Sequence, residues 1–180
     1  MDKFCREYEE QIEAAGGVDI QILGIGRTGH IGFNEPGSPV TSKTRMVFLD
    51  NLTMKDASGE FGGIENVPTK AITMGVGTIM KARKIILMAW GEAKAPIIRA
   101  TVEGSISDSV PATFLQMHPN VQFVIDESAA EELTRANFPW LVSKVEWDAK
   151  LIRKAVIWLC QKVNKPILKV EDKDYASNGM

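Results

Sequence analysis

The chain has 180 residues, 44% of them apolar and 24% charged, with a formal net charge of −2. This is an ordinary globular composition, long enough for a sizeable core, and its scattered Lys and Arg argue against a nucleic-acid surface. The longest apolar run, Ile85 to Trp90, is far too short to cross a bilayer, the charged start is no signal peptide, and Cys5 and Cys160 stand in no metal or redox spacing, so a cytoplasmic chain with two buried thiols is expected.

Phe4, Tyr8 and Ile12 recur every four residues and predict a helix that Gly16 and Gly17 end. Residues 18–23 read as a buried strand, followed by a glycine-rich loop from Gly24 to Gly29. Pro36, Gly37 and Pro39 forbid a long helix directly after that loop. Met46 to Leu49 suggest a short strand. The polar, glycine-dotted stretch from Asn51 to Val67 reads as a mobile lid. Ala71 to Met80 predict a tight turn into a short helix, Lys84 to Trp90 a second buried strand, and Glu92 to Glu103 a helix ended by Gly104. Val121 to Ile125 read as a third strand, and Glu127 to Arg135 as a short helix.

Strands alternating with helices predict an α/β fold with a mostly parallel sheet. The character changes after Phe138 and Pro139, so residues 1–137 are expected to form the main domain and 138–180 a helical appendage or linker. In the latter, Asp148 caps a helix with Leu151, Ile152, Ala155, Val156, Leu159 and Val163 on one face, and Pro166 stops it. The four tryptophans read as packing residues.

The chemistry concentrates in the loop Gly-Ile-Gly-Arg-Thr-Gly-His-Ile-Gly-Phe-Asn-Glu-Pro over residues 24–36, at the carboxyl end of a strand, where open α/β sheets bind ligands. His30 and Glu35 are close enough in sequence to share a cleft, where an imidazole oriented by a carboxylate can move protons near neutral pH. A dinucleotide site competes for the same loop, since Gly24, Gly26 and Gly29 match Gly-x-Gly-x-x-Gly and Asp50 stands at roughly the ribose-acid spacing. That site needs a long helix opening at the third glycine, which the prolines deny. Lys94 follows a strand at a helix start, where a phosphate would be welcome. His118, ahead of Pro119, reads as structural.

The loop is similar to the signature of glucosamine-6-phosphate deaminases. The resemblance continues through Ala71 to Met80, Gly91 to Ala95 and Leu115 to Asn120, covering roughly residues 3–135 in order. The related 6-phosphogluconolactonases carry Thr-Ala-Ser-Leu-Phe-Pro after Gly-His, where this chain has Ile-Gly-Phe-Asn-Glu-Pro. The resemblance implies a modified Rossmann-like three-layer sandwich, here partial, acting on a small-molecule sugar phosphate. It implies conversion of glucosamine 6-phosphate to fructose 6-phosphate and ammonia in amino-sugar catabolism, with neither metal nor organic cofactor. His30 corresponds to the ring-opening histidine, Glu35 to its supporting acid, Gly24 to a backbone sugar contact and Lys94 to a phosphate ligand. Thr28 takes the place of an acid or amide beside the histidine. No Arg stands near Ser58 to Phe61, where relatives grip phosphate. The phosphate-cradling loop and the Asp pair that precede this stretch in the family have no counterpart, so an N-terminally truncated and inactive chain is expected. An exposed apolar surface and a homo-oligomer of unfixed size would follow. Thr28 and the missing Arg also motivate an alternative, a non-catalytic sugar-phosphate-binding regulatory domain.

Overall fold

The computed structural model describes residues 2–179 and divides into two compact units, one up to Ala130 and one from Glu131. The first unit opens with helix α1 (Asp2–Ala14) and strand β1 (Ile20–Leu23). Strand β2 (Arg45–Phe48), helix α2 (Asn51–Ala57) and strand β3 (Lys70–Thr73) form an excursion, in which β2 and β3 pair antiparallel with Arg45 opposite Thr73. Helix α3 (Val76–Ile79) leads to β4 (Lys84–Ala89), and α4 (Ala95–Glu103) leads to β5 (Val121–Ile125) and α5 (Glu127–Ala130). The main sheet is parallel, in the order β1-β4-β5, with Leu23 opposite Leu87 and Leu87 opposite Phe123.

Strict alternation along β4 places Ile85, Leu87 and Ala89 on one face, all buried together with Ile98 of α4 and with Ala112 and Leu115 of the 3-10 turn Pro111–Met117. Each buried Ile or Leu stabilises the unit by about 1.5–3 kcal/mol. The other face carries exposed Ile20, Ile22 and Val124. The α/β class and parallel sheet are as expected, but β1 is an edge strand with one open face, not a strand buried on both sides. Trp90, expected to pack, is exposed as well.

Helix α1 forms where the periodicity predicts, yet its buried residues are Cys5 and Glu9, while Phe4 and Tyr8 are exposed. The reason is polar: one Glu9 carboxylate oxygen accepts from Thr44 N (2.8 Å), Thr78 Oγ1 (2.7 Å) and Thr44 Oγ1. Burial opposes this charge, but the hydrogen bonds from Thr44 and Thr78, aided by nearby Lys43, outweigh it and hold the carboxyl below its ordinary value.

In the second unit, Leu133 takes extended backbone, which breaks the single helix expected over 127–135 and leaves α6 (Thr134–Asn137) separate from α5. Helix α7 (Ala149–Val163) starts at Asp148, whose carboxylate accepts from Leu151 N at 2.7 Å, and ends at Asn164 in the left-handed region. Ala155 and Leu159 are its buried positions; Ile152, expected on that face, is exposed. Phe138, Trp140, Trp147 and Trp158 form an aromatic cluster with centroid spacings of 5.7–6.2 Å. Cys160 is only half-buried, against expectation. A capping box between Glu171 and Asp174 starts helix α8 (Asp172–Ala176). No described helix is long and apolar enough to cross a membrane.

Candidate active site

The loop after β1 folds back on itself. Gly29 N bonds Gly26 O, and Gly26 N bonds His30 O, both at 3.0 Å. This places the His30 imidazole directly over Gly26. A Cβ at Gly26 would lie 2.1 Å from both Cε1 and Nε2 of the ring, so only glycine leaves room for it. Gly29 has φ +79°, and a Cβ there would meet Val110 Cγ1 at 2.5 Å.

The chain then passes through Ile31 and Asn34, both fully buried. Asn34 donates to Ile31 O (2.9 Å) and Met74 O (2.8 Å) and accepts from Arg45 Nη1 (2.9 Å). Phe33 N donates to Thr73 Oγ1 at 3.0 Å. These bonds pin the loop to the end of β3 and turn the next residue, Glu35, back toward His30. Arg45 also donates to Ser38 Oγ at 3.0 Å, and burial pushes its guanidinium somewhat below its ordinary value.

The structure brings Thr28, His30 and Glu35 together. His30 Nδ1 lies 3.1 Å from Glu35 Oε2 and 3.0 Å from Thr28 Oγ1, and Thr28 Oγ1 lies 3.4 Å from Glu35 Oε2. The side chains of His30 and Glu35 are 17% and 12% exposed, reachable from solvent but largely desolvated. An ionised carboxylate only accepts, so the proton on the neutral imidazole belongs on Nδ1, leaving the Nε2 lone pair free. Lys94, in the 3-10 turn Glu92–Lys94 that precedes α4, donates from Nζ to Ile25 O at 2.7 Å and so reaches the same loop. Open space surrounds the position where a side chain on Gly24 would begin.

Several contributors escape the sequence reading. Thr53 of α2 donates to Glu35 Oε1 at 2.6 Å, and Asp50 N lies 3.5 Å from the same oxygen. Arg27 pairs with Asp56 of α2, Nε to Oδ2 at 3.0 Å plus a second contact from Nη2. Hydrogen bonding from Arg27 holds the Asp56 carboxyl below its ordinary value against a smaller desolvation effect, and the charges of Arg27 and Lys94 lower it further. The stretch expected as a lid therefore carries a helix fastened to the loop. Glu60, in the same stretch, is exposed.

The dinucleotide alternative, which the prolines deny, finds no support in this geometry either. No helix opens at Gly29, and Asp50 caps α2 by accepting from Leu52 N at 2.7 Å. His118 is structural as expected: it is buried, its Nε2 lies 2.8 Å from Ala82 O, and its Nδ1 accepts from Asn120 N at 3.1 Å. Among the described residues, no cluster of three or more His, Cys, Asp or Glu side chains is placed to hold a metal ion.

Residues 1–124 match the family model described as glucosamine-6-phosphate isomerases/6-phosphogluconolactonase. A glucosamine-6-phosphate deaminase-like protein of Bacteroides thetaiotaomicron is 55% identical over 178 residues, 99% of this chain and 27% of that protein. The glucosamine-6-phosphate deaminase of Shewanella woodyi is 54% identical over 134 residues, 74% of this chain and 51% of that enzyme. Among solved structures, a monomeric glucosamine-6-phosphate deaminase superposes with a TM-score of 0.71 at 44% identity, covering 73% of this chain and 54% of that one. A 6-phosphogluconolactonase from Trypanosoma cruzi, at 24% identity and a TM-score of 0.56 over 73% of this chain and 52% of its own, shares the fold. The chain thus spans about half the length of the deaminase from Shewanella and about a quarter of the Bacteroides protein.

Proposed function

The chain belongs to the family of glucosamine-6-phosphate isomerases and 6-phosphogluconolactonases, and from that premise we propose that its first unit serves the isomerising deamination of glucosamine 6-phosphate to fructose 6-phosphate and ammonia. The observation that carries the reading is the 3.1 Å contact between His30 Nδ1 and Glu35 Oε2 at the carboxyl end of β1. Held in this way, the imidazole presents Nε2 to the sugar. It takes the proton from the anomeric hydroxyl as the bond from C1 to the ring oxygen breaks, and returns a proton to that oxygen. Glu35 compensates the imidazolium formed in between. Thr28 hydrogen-bonds the ring but holds no charge, so Glu35 carries that compensation. Lys94 exchanges the Ile25 carbonyl for the substrate phosphate, and Gly24 offers its backbone to the sugar.

Moving the C2 proton needs a further carboxylate base. Glu35 is engaged by His30 and Thr53, and Asp56 by Arg27, which supports the reading that the 180-residue chain opens the ring but releases little ammonia. The test is ¹H saturation transfer between the anomers of glucosamine 6-phosphate, run beside an ammonia assay. Anomer exchange is expected to accelerate with the chain and to return to the solution rate with His30→Gln. No acceleration would refute the reading. A second reading, sugar-phosphate binding without chemistry, is favoured by Thr28 standing beside the imidazole; calorimetric binding without anomer exchange would establish it.

A further inference from the structure

Thr53 is 8% exposed, and its hydroxyl reaches across from α2 to the loop after β1. It donates to Glu35 Oε1 at 2.6 Å and lies 3.4 Å from His30 Nδ1. A buried hydroxyl needs a partner, and a short bond to a carboxylate is among the stronger ones a neutral donor makes. Glu35 therefore has its two oxygens assigned: Oε1 to Thr53, with Asp50 N at the edge of reach, and Oε2 to the imidazole and, more weakly, to Thr28. The first assignment fixes the second. With Oε1 held from α2, the carboxylate cannot rotate about its terminal torsion without breaking the 2.6 Å bond, so Oε2 stays on Nδ1. The same helix is tied to the loop one turn later through Asp56 and Arg27.

We propose that Thr53 is a positioning residue, which acts through Glu35 to hold His30 in the tautomer protonated on Nδ1 and makes the acid–base pair depend on docked α2. The role rests on the ring-opening reading for its consequence, but not for its physical content. Without the Thr53 donor, Oε1 lacks its strongest partner, the carboxylate turns toward solvent, and the imidazole reverts to a mixture of tautomers. Nε2 then carries the proton part of the time and cannot act as a base.

The chain has two histidines, and the structure gives them opposite tautomers. His118 accepts at Nδ1 from Asn120 N, so its proton sits on Nε2 facing Ala82 O. A two-bond ¹H–¹⁵N spectrum of the full chain, with both imidazoles neutral, reads each pattern, and His118 reports that a variant is folded. In the wild type and Thr53→Ser, His30 is expected to show the Nδ1–H pattern. In Thr53→Val it is expected to show averaged shifts, with anomer exchange reduced about tenfold and sugar-phosphate affinity changed less than about twofold. Should Thr53→Val lose the His118 pattern through misfolding, Thr53→Ala, which removes the hydroxyl without adding bulk, is read in the same way. An unchanged Nδ1–H pattern in the hydroxyl-free variant would overturn the proposal. If the wild type shows the expected tautomers yet no anomer exchange, the ring-opening reading fails, and the spectral comparison still decides the role of Thr53.

Discussion

Gly26→Ala separates the geometry of the site from the stability of the fold. The added methyl would sit 2.1 Å from His30 Cε1 and Nε2 and 2.5 Å from Nδ1. Ordinary carbon contacts begin near about 3.5 Å, so the imidazole must retreat by about 1.4 Å. Its bond to Glu35, now 3.1 Å, cannot survive a shift of that size in its present geometry. The atoms displaced are the far end of a single side chain, with no backbone among the nearest contacts. The cost in stability should therefore be small, about 1 kcal/mol or less. The cost in chemistry should be large, because a misplacement of about 1 Å can lower a rate about 100-fold. The expected result is a thermal midpoint within a few degrees of wild type, with the acceleration of anomer exchange lost. Wild-type exchange in a folded Gly26→Ala protein would refute the placement of the imidazole over Gly26.

Gly29→Ala should behave in the opposite way. A side chain at φ +79°, pressed 2.5 Å from Val110 Cγ1, strains the backbone itself, and chemical denaturation should show a loss of about 1–3 kcal/mol. The Glu9 carboxyl titrates lower in the folded chain than its ordinary 4.5, so its contribution is fully present above that value and is lost as pH falls through the lower folded value. Glu9→Gln should therefore destabilise the chain most near neutral pH and flatten the acid side of its stability profile; equal destabilisation at all pH values would contradict the role assigned to the charge. Lys94→Met should weaken binding of glucosamine 6-phosphate by about tenfold in calorimetry, since one charge-assisted bond to phosphate disappears; unchanged affinity would remove Lys94 from the site.

The parts of this molecule that were legible in the sequence are those whose cause is local. Thr28, His30 and Glu35 fall within eight residues of one loop, and the glycines around them announce its tight path. Residues 84–90 read as a strand because β4 is central and its apolar run is continuous. The same signal misled at β1, since an apolar run does not say whether a strand has neighbours on both sides or an open face. Periodicity found α1 but chose the wrong face. Phe4 and Tyr8 outweigh Glu9 on any hydrophobic scale, yet Glu9 is buried because Thr44 and Thr78 arrive from 35 and 69 residues away to satisfy it. Thr53 and Asp56 were hidden for the same reason. Nothing in a polar stretch marks one threonine as a partner of Glu35 until the β2–β3 pairing carries α2 back over the loop.

Two of the cations near the loop, Arg27 and Lys94, differ in what they would have to give up, and this difference orders the site. Arg27 is held by a carboxylate through two contacts, whereas Lys94 is held by one neutral carbonyl. A phosphate competing for Lys94 replaces a neutral acceptor by a charged one, which adds ion-pair attraction to a bond that the ammonium already assists. Competing for Arg27, the same phosphate must displace an acceptor already charged and bidentate, and must leave Asp56 without its cation. Binding of an anion here would therefore favour release of Lys94 from Ile25 O, while Arg27 stays with Asp56. On the proposed function, the helix that carries Thr53 would remain fastened while a phosphate enters, so the carboxylate beside the imidazole would still be held when a sugar arrives.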